Sequence, residues 1–230
     1  MGDADAAGLI PVPHPEVERL IEVMHVLRQR CPWDAEQTHA SLIPYLVEET
    51  LEVVEAVEDG SDAVLVEELG DLLLQVASHA EIAAQEQRFD IDDVARGIAD
   101  KLIARHPHVF ASEPVPDDLL ATWEQRKRAE KGRSSALDGI PGRMSALTRA
   151  AKVVARSEAH GVAVPLPDAD NLGARMLALV AEAHARGVDA EQATRAAVRE
   201  LERRIVAAEI AADAEPVASA GADATAATAD

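Results

Sequence analysis

Aromatic side chains are scarce: two Trp, two Phe and one Tyr make up 2% of 230 residues. An all-β sandwich draws on aromatics and dense turn signals, so that class is excluded. A single cysteine, Cys31, allows no intramolecular disulfide. Positive charge is in short supply too. Lys and Arg number 22 against 42 Asp and Glu, a formal net charge of −20. A chain this acidic is repelled by a nucleic-acid backbone, so no nucleic-acid polymer is expected as a partner. No apolar run approaches the length of a membrane span, so no membrane partner is expected either. Residues 1–15 hold Asp3, Asp5 and three prolines but no basic n-region, unlike a secretory signal. A reducing cytoplasm is the expected setting.

What is abundant is Ala, Val, Leu and Ile, interleaved with Glu and Arg, a mixture that favours helix. The first helix is expected from about Glu16 to Arg30, stopped by Pro32, with Cys31-Pro32-Trp33-Asp34 as a loop. The second starts near Pro44, which suits a first helical turn, and ends at Asp59-Gly60. Asp62 is expected to cap a third helix reaching Gln87, and Asp90 or Asp92 a fourth that ends before Pro107. Asp117 caps a fifth that ends near Gly132. Helical patterns resume at 144–160, 170–186 and 189–212. The expected organisation is a flexible arm over 1–15, a catalytic helical domain over 16–131 and a linker over 132–143. A degenerate helical unit then covers 144–212, and a disordered tail 213–230. The fold class is all-α, a four-helix-bundle-like core with additional C-terminal helices. Gly70 to Arg105 also resembles Gly173 to Arg204 weakly, as a shortened internal copy would.

The chemical signal lies on the second and third helices. Glu49 and Glu52 are three apart, as are Glu68 and Asp71, and residues three apart share a helical face. At about 100° per residue, Leu42, Leu46, Val53 and Val57 fall roughly 20° to 80° from Glu49. Leu65, Leu69, Leu72 and Val76 fall roughly 40° to 100° from Glu68. Glu49 and Glu68 therefore sit within the apolar arcs, with Glu52 and Asp71 on their edges. Charges on a core-facing stripe are costly unless paired or metal-bound. Glu48, Glu55, Glu58 and Glu67 fall on the opposite side, as solvated carboxylates should. Two packed helices would converge four carboxylates on one spot, a donor set that suits a hard divalent cation.

Glu22/His25 and Glu36/His39 both fit the Glu-x-x-His pattern of di-iron bundles. The short Cys31-Pro32 break between them keeps the two motifs off two long bundle helices, and the di-iron reading is rejected. His79 and Gln75 share the inward face of Glu68, where a supporting role is conceivable.

At this point the chain resembles the MazG family of nucleoside triphosphate pyrophosphohydrolases. Glu49-x-x-Glu52 followed by Glu68-x-x-Asp71 matches that family's E-x-x-E, spacer, E-x-x-D pattern. The flanking text is similar too: Cys31-Pro32-Trp33-Asp34, Glu48-Glu49-Thr50, Glu68-Leu69-Gly70-Asp71-Leu72-Leu73, Arg105-His106-Pro107-His108-Val109-Phe110 and Trp123-Glu124-x-x-Lys127. The likeness spans about residues 16–150.

The resemblance implies Mg²⁺, with Mn²⁺ as a substitute, on Glu49, Glu52, Glu68 and Asp71. It implies a homodimer and cleavage of nucleoside triphosphates between the α- and β-phosphates, in a housecleaning role. By the same carry-over, Lys101, Arg105, Trp123 and Lys127 contact nucleotide, and Trp33 is a second candidate for the base side. Glu48 or Glu52 is the candidate general base. Asn171 and Ala174 stand where a second Glu and Asp would be needed, so the C-terminal unit is expected to be silent in catalysis. Two readings compete: a dUTP-type or phosphoribosyl-ATP-type phosphohydrolase, and a non-enzymatic acidic scaffold.

Overall fold

Local chemistry sets the limits of each helix. The computed structural model describes residues 12–119, 122–123, 126, 134–162, 164–168 and 171–214, and all regular structure among them is helical. Helix α1, Pro15–Arg30, starts on a proline. It carries Glu16 and Glu18 in its first turn and Arg28 and Arg30 in its last, charges that suit the helix dipole. Cys31, ahead of Pro32, is extended and ends it. The next segment departs from the expected loop. Pro32–Glu36 forms a short helix, α2, with Pro32 preset for a first turn and Asp34 at its positive end.

Helix α3, Ile43–Asp59, ends at Gly60, whose φ of +72° is the left-handed stop that glycine tolerates best. Helix α4, Asp62–Gln85, is capped not by Asp62 but by Ser61, whose hydroxyl accepts from the Val64 N–H. Asp62 instead places its charge in the first turn. The helix stops short of Gln87, whose φ of +54° is incompatible with its continuation. Helix α5, Ile91–Arg105, begins with a reciprocal capping box: Asp90 accepts from the Asp93 N–H, and Asp93 accepts from the Asp90 N–H. That pair and Arg96 hold the Asp93 carboxyl below its ordinary pKa. Pro107–Phe110 adds a short helix, α6, not anticipated from the sequence. The helix expected from Asp117 to Gly132 falls largely outside the described residues, although Leu119, Thr122, Trp123 and Arg126 have helical backbone.

Later in the chain come α7, Ala146–Ala159, α8, Leu172–Ala185, and α9, Ala190–Ala214. Ser145 caps α7 and Asn171 caps α8. Of the tail expected over 213–230, Asp213 and Ala214 still belong to α9, and the rest lies outside the described residues.

The chain divides into two compact units, residues 1–119 and 120–230. In the first, α3 and α4 form a hairpin across the Gly60-Ser61 turn, α1 packs on α4, and α5 packs on α4 and α6. Its core is Met24, Leu42, Ala56, Ala77, Ala80, Ile82 and Ala83. The predicted apolar arcs are only partly this core. Leu42 is buried, but Val57, Leu69 and Val76 stay more than a third exposed. The arcs are wider than the α3–α4 seam can cover. In the second unit α7, α8 and α9 pack on one another around Val154, Ala174, Val180 and Ala190.

Candidate metal centre

The α3–α4 hairpin brings carboxylates from both arms to one place. Glu49 of α3 and Glu68 and Asp71 of α4 each offer an oxygen, and these oxygens lie within 4.8 Å of one another. All three residues are half-buried. Glu52, also half-buried, stands one turn further along α3, and its carboxylate acts on Glu49. Desolvation, then Asp71, Glu52 and Glu48, raise the Glu49 carboxyl above its ordinary pKa. Desolvation, then Glu52, Glu67, Asp71 and Glu55, do the same to Glu68. The charges that raise these two groups are all carboxylates. Such a cluster has the hard oxygen donors and the excess negative charge that a divalent cation neutralises. It is the sole group of this kind among the described residues.

The outward carboxylates behave mostly as expected. Glu48, Glu55 and Glu67 are exposed, but Glu58, near the end of α3, is half-buried. The Glu-x-x-His pairs do not assemble. His25 pairs with Glu81 at 2.8 Å, and the His39 and His79 rings stack with centroids 5.1 Å apart. Arg88 donates to His39 Nε2, so neutral His39 carries its proton on Nδ1 and donates to His79 Nδ1 at 2.8 Å. His79 therefore supports His39 rather than a carboxylate. Desolvation and then His39 lower its pKa.

Glu49 also lines a cleft of about 180 Å³ bounded by α1, α2, α3 and α4. Trp33 and Tyr45 form one side, their rings edge to face with centroids 6.1 Å apart. Trp33 is 54% exposed. Arg28 holds this side in place. Its Nη1 donates to the carbonyls of Asp34 and Gln37, the latter at 3.0 Å. Its Nε and Nη2 both donate to Gln85 Oε1 of α4, at 3.2 and 2.8 Å. One guanidinium thus ties the end of α1 to the carbonyls of the α2 segment and to α4. Sequence reasoning passed over Arg28 because these partners lie six, nine and 57 positions away, with no periodic signal to mark them. Tyr45 was missed for the same reason.

The expected nucleotide contacts are spread more widely. Lys101 is half-buried, and Arg105, in the last turn of α5, is buried with 9% exposure. Trp123 belongs to the second unit and is half-buried. Lys127 lies outside the described residues. In α8, Asn171 is a helix cap and Ala174 is buried, so neither position offers a carboxylate.

Residues 37–110, which carry Glu49, Glu52, Glu68 and Asp71, match the MazG nucleotide pyrophosphohydrolase domain. An uncharacterized 26.1 kDa protein from the blaB 3′ region of Streptomyces cacaoi is 43% identical, over 88% of this chain and 86% of that one. The chain belongs to the MazG family. Two enzymes named nucleoside triphosphate pyrophosphohydrolase are similar to this MazG-family chain. The one from Escherichia coli K12 is 48% identical over 61% of this chain and 57% of its own length. The one from Mycobacterium tuberculosis is 42% identical over 90% of this chain and 63% of its own length. The chain thus spans less than two thirds of either named enzyme.

Proposed function

We propose that this protein hydrolyses nucleoside triphosphates to the monophosphate and pyrophosphate, with Mg²⁺ held by Glu49, Glu68 and Asp71 and supported by Glu52. The observation that carries this reading is the convergence of the three carboxylates from both arms of the hairpin. A bound Mg²⁺ would screen the phosphate oxygens and acidify water. The chain's own part is to hold and orient. The oxygen of a water molecule bonds to the α-phosphorus, and the bond from that phosphorus to the α,β-bridging oxygen breaks. Glu52 lies beside the cluster and is the better placed of the two candidate bases to take the water's proton, because Glu48 faces solvent. Lys101, Arg105 and Lys127 are assigned to phosphate, and Trp123 and Trp33 to the base side.

The functional protein is proposed to be a homodimer, with the catalytic domain spanning residues 16–131. Val66, Leu69, Leu73 and Val76 make an apolar stripe on α4, and Val94, Ile98 and Leu102 one on α5, each side chain 37% exposed or more. Stripes of this kind mark association surfaces. No helix of the described residues is long and apolar enough to cross a membrane. The net charge of −20 disfavours polymeric nucleic acid, so free nucleotides in the cytoplasm, non-canonical or damaged ones among them, are the proposed substrates. The test is a panel of canonical and modified nucleoside triphosphates scored for products with and without Mg²⁺. Monophosphate and pyrophosphate are expected. Diphosphate and orthophosphate would overturn the reading.

A further inference from the structure

Gln75 lies one turn beyond Asp71 on α4 and lines the same cleft as Glu49, Trp33 and Tyr45. It is 5% exposed, and its carbonyl oxygen Oε1 is buried without a hydrogen-bond donor. Burying an amide oxygen without a partner is costly, and the neighbouring Ser78 hydroxyl offers no relief because it donates to the Leu74 carbonyl. An aliphatic side chain would fill this place in α4 at less cost. A buried amide oxygen without a partner, on a side chain that lines a cleft, is suited to a donor that enters that cleft.

We propose that Gln75 is a specificity-determining residue that accepts a hydrogen bond from an N–H on the edge of the substrate's nucleobase. The inference rests on the nucleotide-hydrolase reading and assigns the base to this cleft. The space of about 180 Å³ has room for a planar heterocycle. Glu49 joins the cleft to the carboxylate cluster, so phosphates held there place the base toward α1 and α2. Trp33 and Tyr45 supply apolar ring faces, and Arg28 holds the segment that carries Trp33. The last torsion of a glutamine has a broad profile, so a turn of the amide would let Oε1 meet a ring N–H or an exocyclic amine.

The test compares nucleotides that carry this donor with ones that lack it. Binding of AMP against purine riboside monophosphate, and of UMP against its N3-methyl derivative, is measured by calorimetry on the full chain with Mg²⁺. At least one donor-bearing member should bind about tenfold more tightly than its counterpart, the size of one good hydrogen bond. In Gln75→Leu that difference should vanish while the melting temperature is kept or raised, because an unsatisfied buried group has been removed. A purely structural Gln75 would give a lowered melting temperature and unchanged discrimination, which overturns the proposal. Equal binding of both members of each pair by the wild type overturns it too, while leaving pyrophosphate release intact. Discrimination by the wild type without pyrophosphate release from any triphosphate would instead reject the hydrolase reading and keep the base site.

Discussion

At the scale of single residues, the clustered carboxylates govern both chemistry and stability. Glu49 and Glu68 have raised pKa values in the fold, so the folded chain holds protons that the unfolded chain releases. Their contribution to stability is complete below the ordinary carboxylate pKa and is lost as pH rises through the raised values. In chelator, the melting temperature should therefore fall as pH climbs through and above the ordinary carboxylate range. Mg²⁺ should reverse the fall at neutral pH, and its affinity should weaken on acidification as protons compete. Thermal scans across pH, with and without Mg²⁺, check this; identical curves would remove the metal from the site. Asp71→Asn and Glu68→Gln should each reduce turnover to background and leave the helical circular dichroism intact. Charge and stacking should also separate in kinetics. Lys127→Ala should weaken turnover of every nucleotide alike, since all share the triphosphate, whereas Trp123→Ala should reorder the bases.

Among the helices, α2 shows what local pattern leaves out. Cys31-Pro32-Trp33-Asp34 reads as a break, because a proline follows a helix. Yet Pro32 also presets a first turn, and Arg28 takes up the carbonyls of Asp34 and Gln37. Only a distant guanidinium makes five residues of helix worthwhile there, and five residues are too few to fold alone. Arg28→Lys keeps the charge but loses the fork that spans α2 and α4. It should raise KM for nucleotide with a smaller change in kcat, and shift the Trp33 emission to the red. The hairpin turn offers a second check. Gly60 has φ +72°, with open space where a Cβ would stand. Gly60→Ala should therefore cost only the backbone strain, about 1 kcal/mol in denaturant unfolding.

For the whole molecule, the question is which parts the chemistry needs. The clustered acids all lie in residues 1–119, and the equivalent places in α8 hold a cap, Asn171, and a core alanine, Ala174. Cutting the chain after Ala150 should leave metal binding and pyrophosphate release in place, provided the fragment remains folded by circular dichroism. Inactivity in a folded, dimeric fragment would place catalytic groups in the second half. Light scattering should give a mass near twice 24.5 kDa for the intact chain. Ile98→Glu, in the exposed stripe of α5, should halve it by putting a charge in an apolar contact.

The sequence alone determined the helices whose signals are local: Pro44 in the first turn of α3, Gly60 as its stop, and an aspartate at 90 or 92 as the cap of α5. It also determined the three-residue spacing of the acids, because that spacing is itself the helical repeat. It determined the absence of a second acid set, since Asn171 and Ala174 cannot supply carboxylates. Tertiary structure alone decided which flank of each apolar arc became core, because burial depends on which helix arrives opposite. Val57 and Leu42 lie in the same arc, yet Val57 is 60% exposed and Leu42 is buried. It decided that His79 answers to His39, which Arg88 bonds in turn, that Arg28 fixes the Trp33 segment, and that the Gln75 oxygen has no partner. Those relations join residues far apart in the chain, and no repeat along the sequence encodes the distance between two helices once they pack.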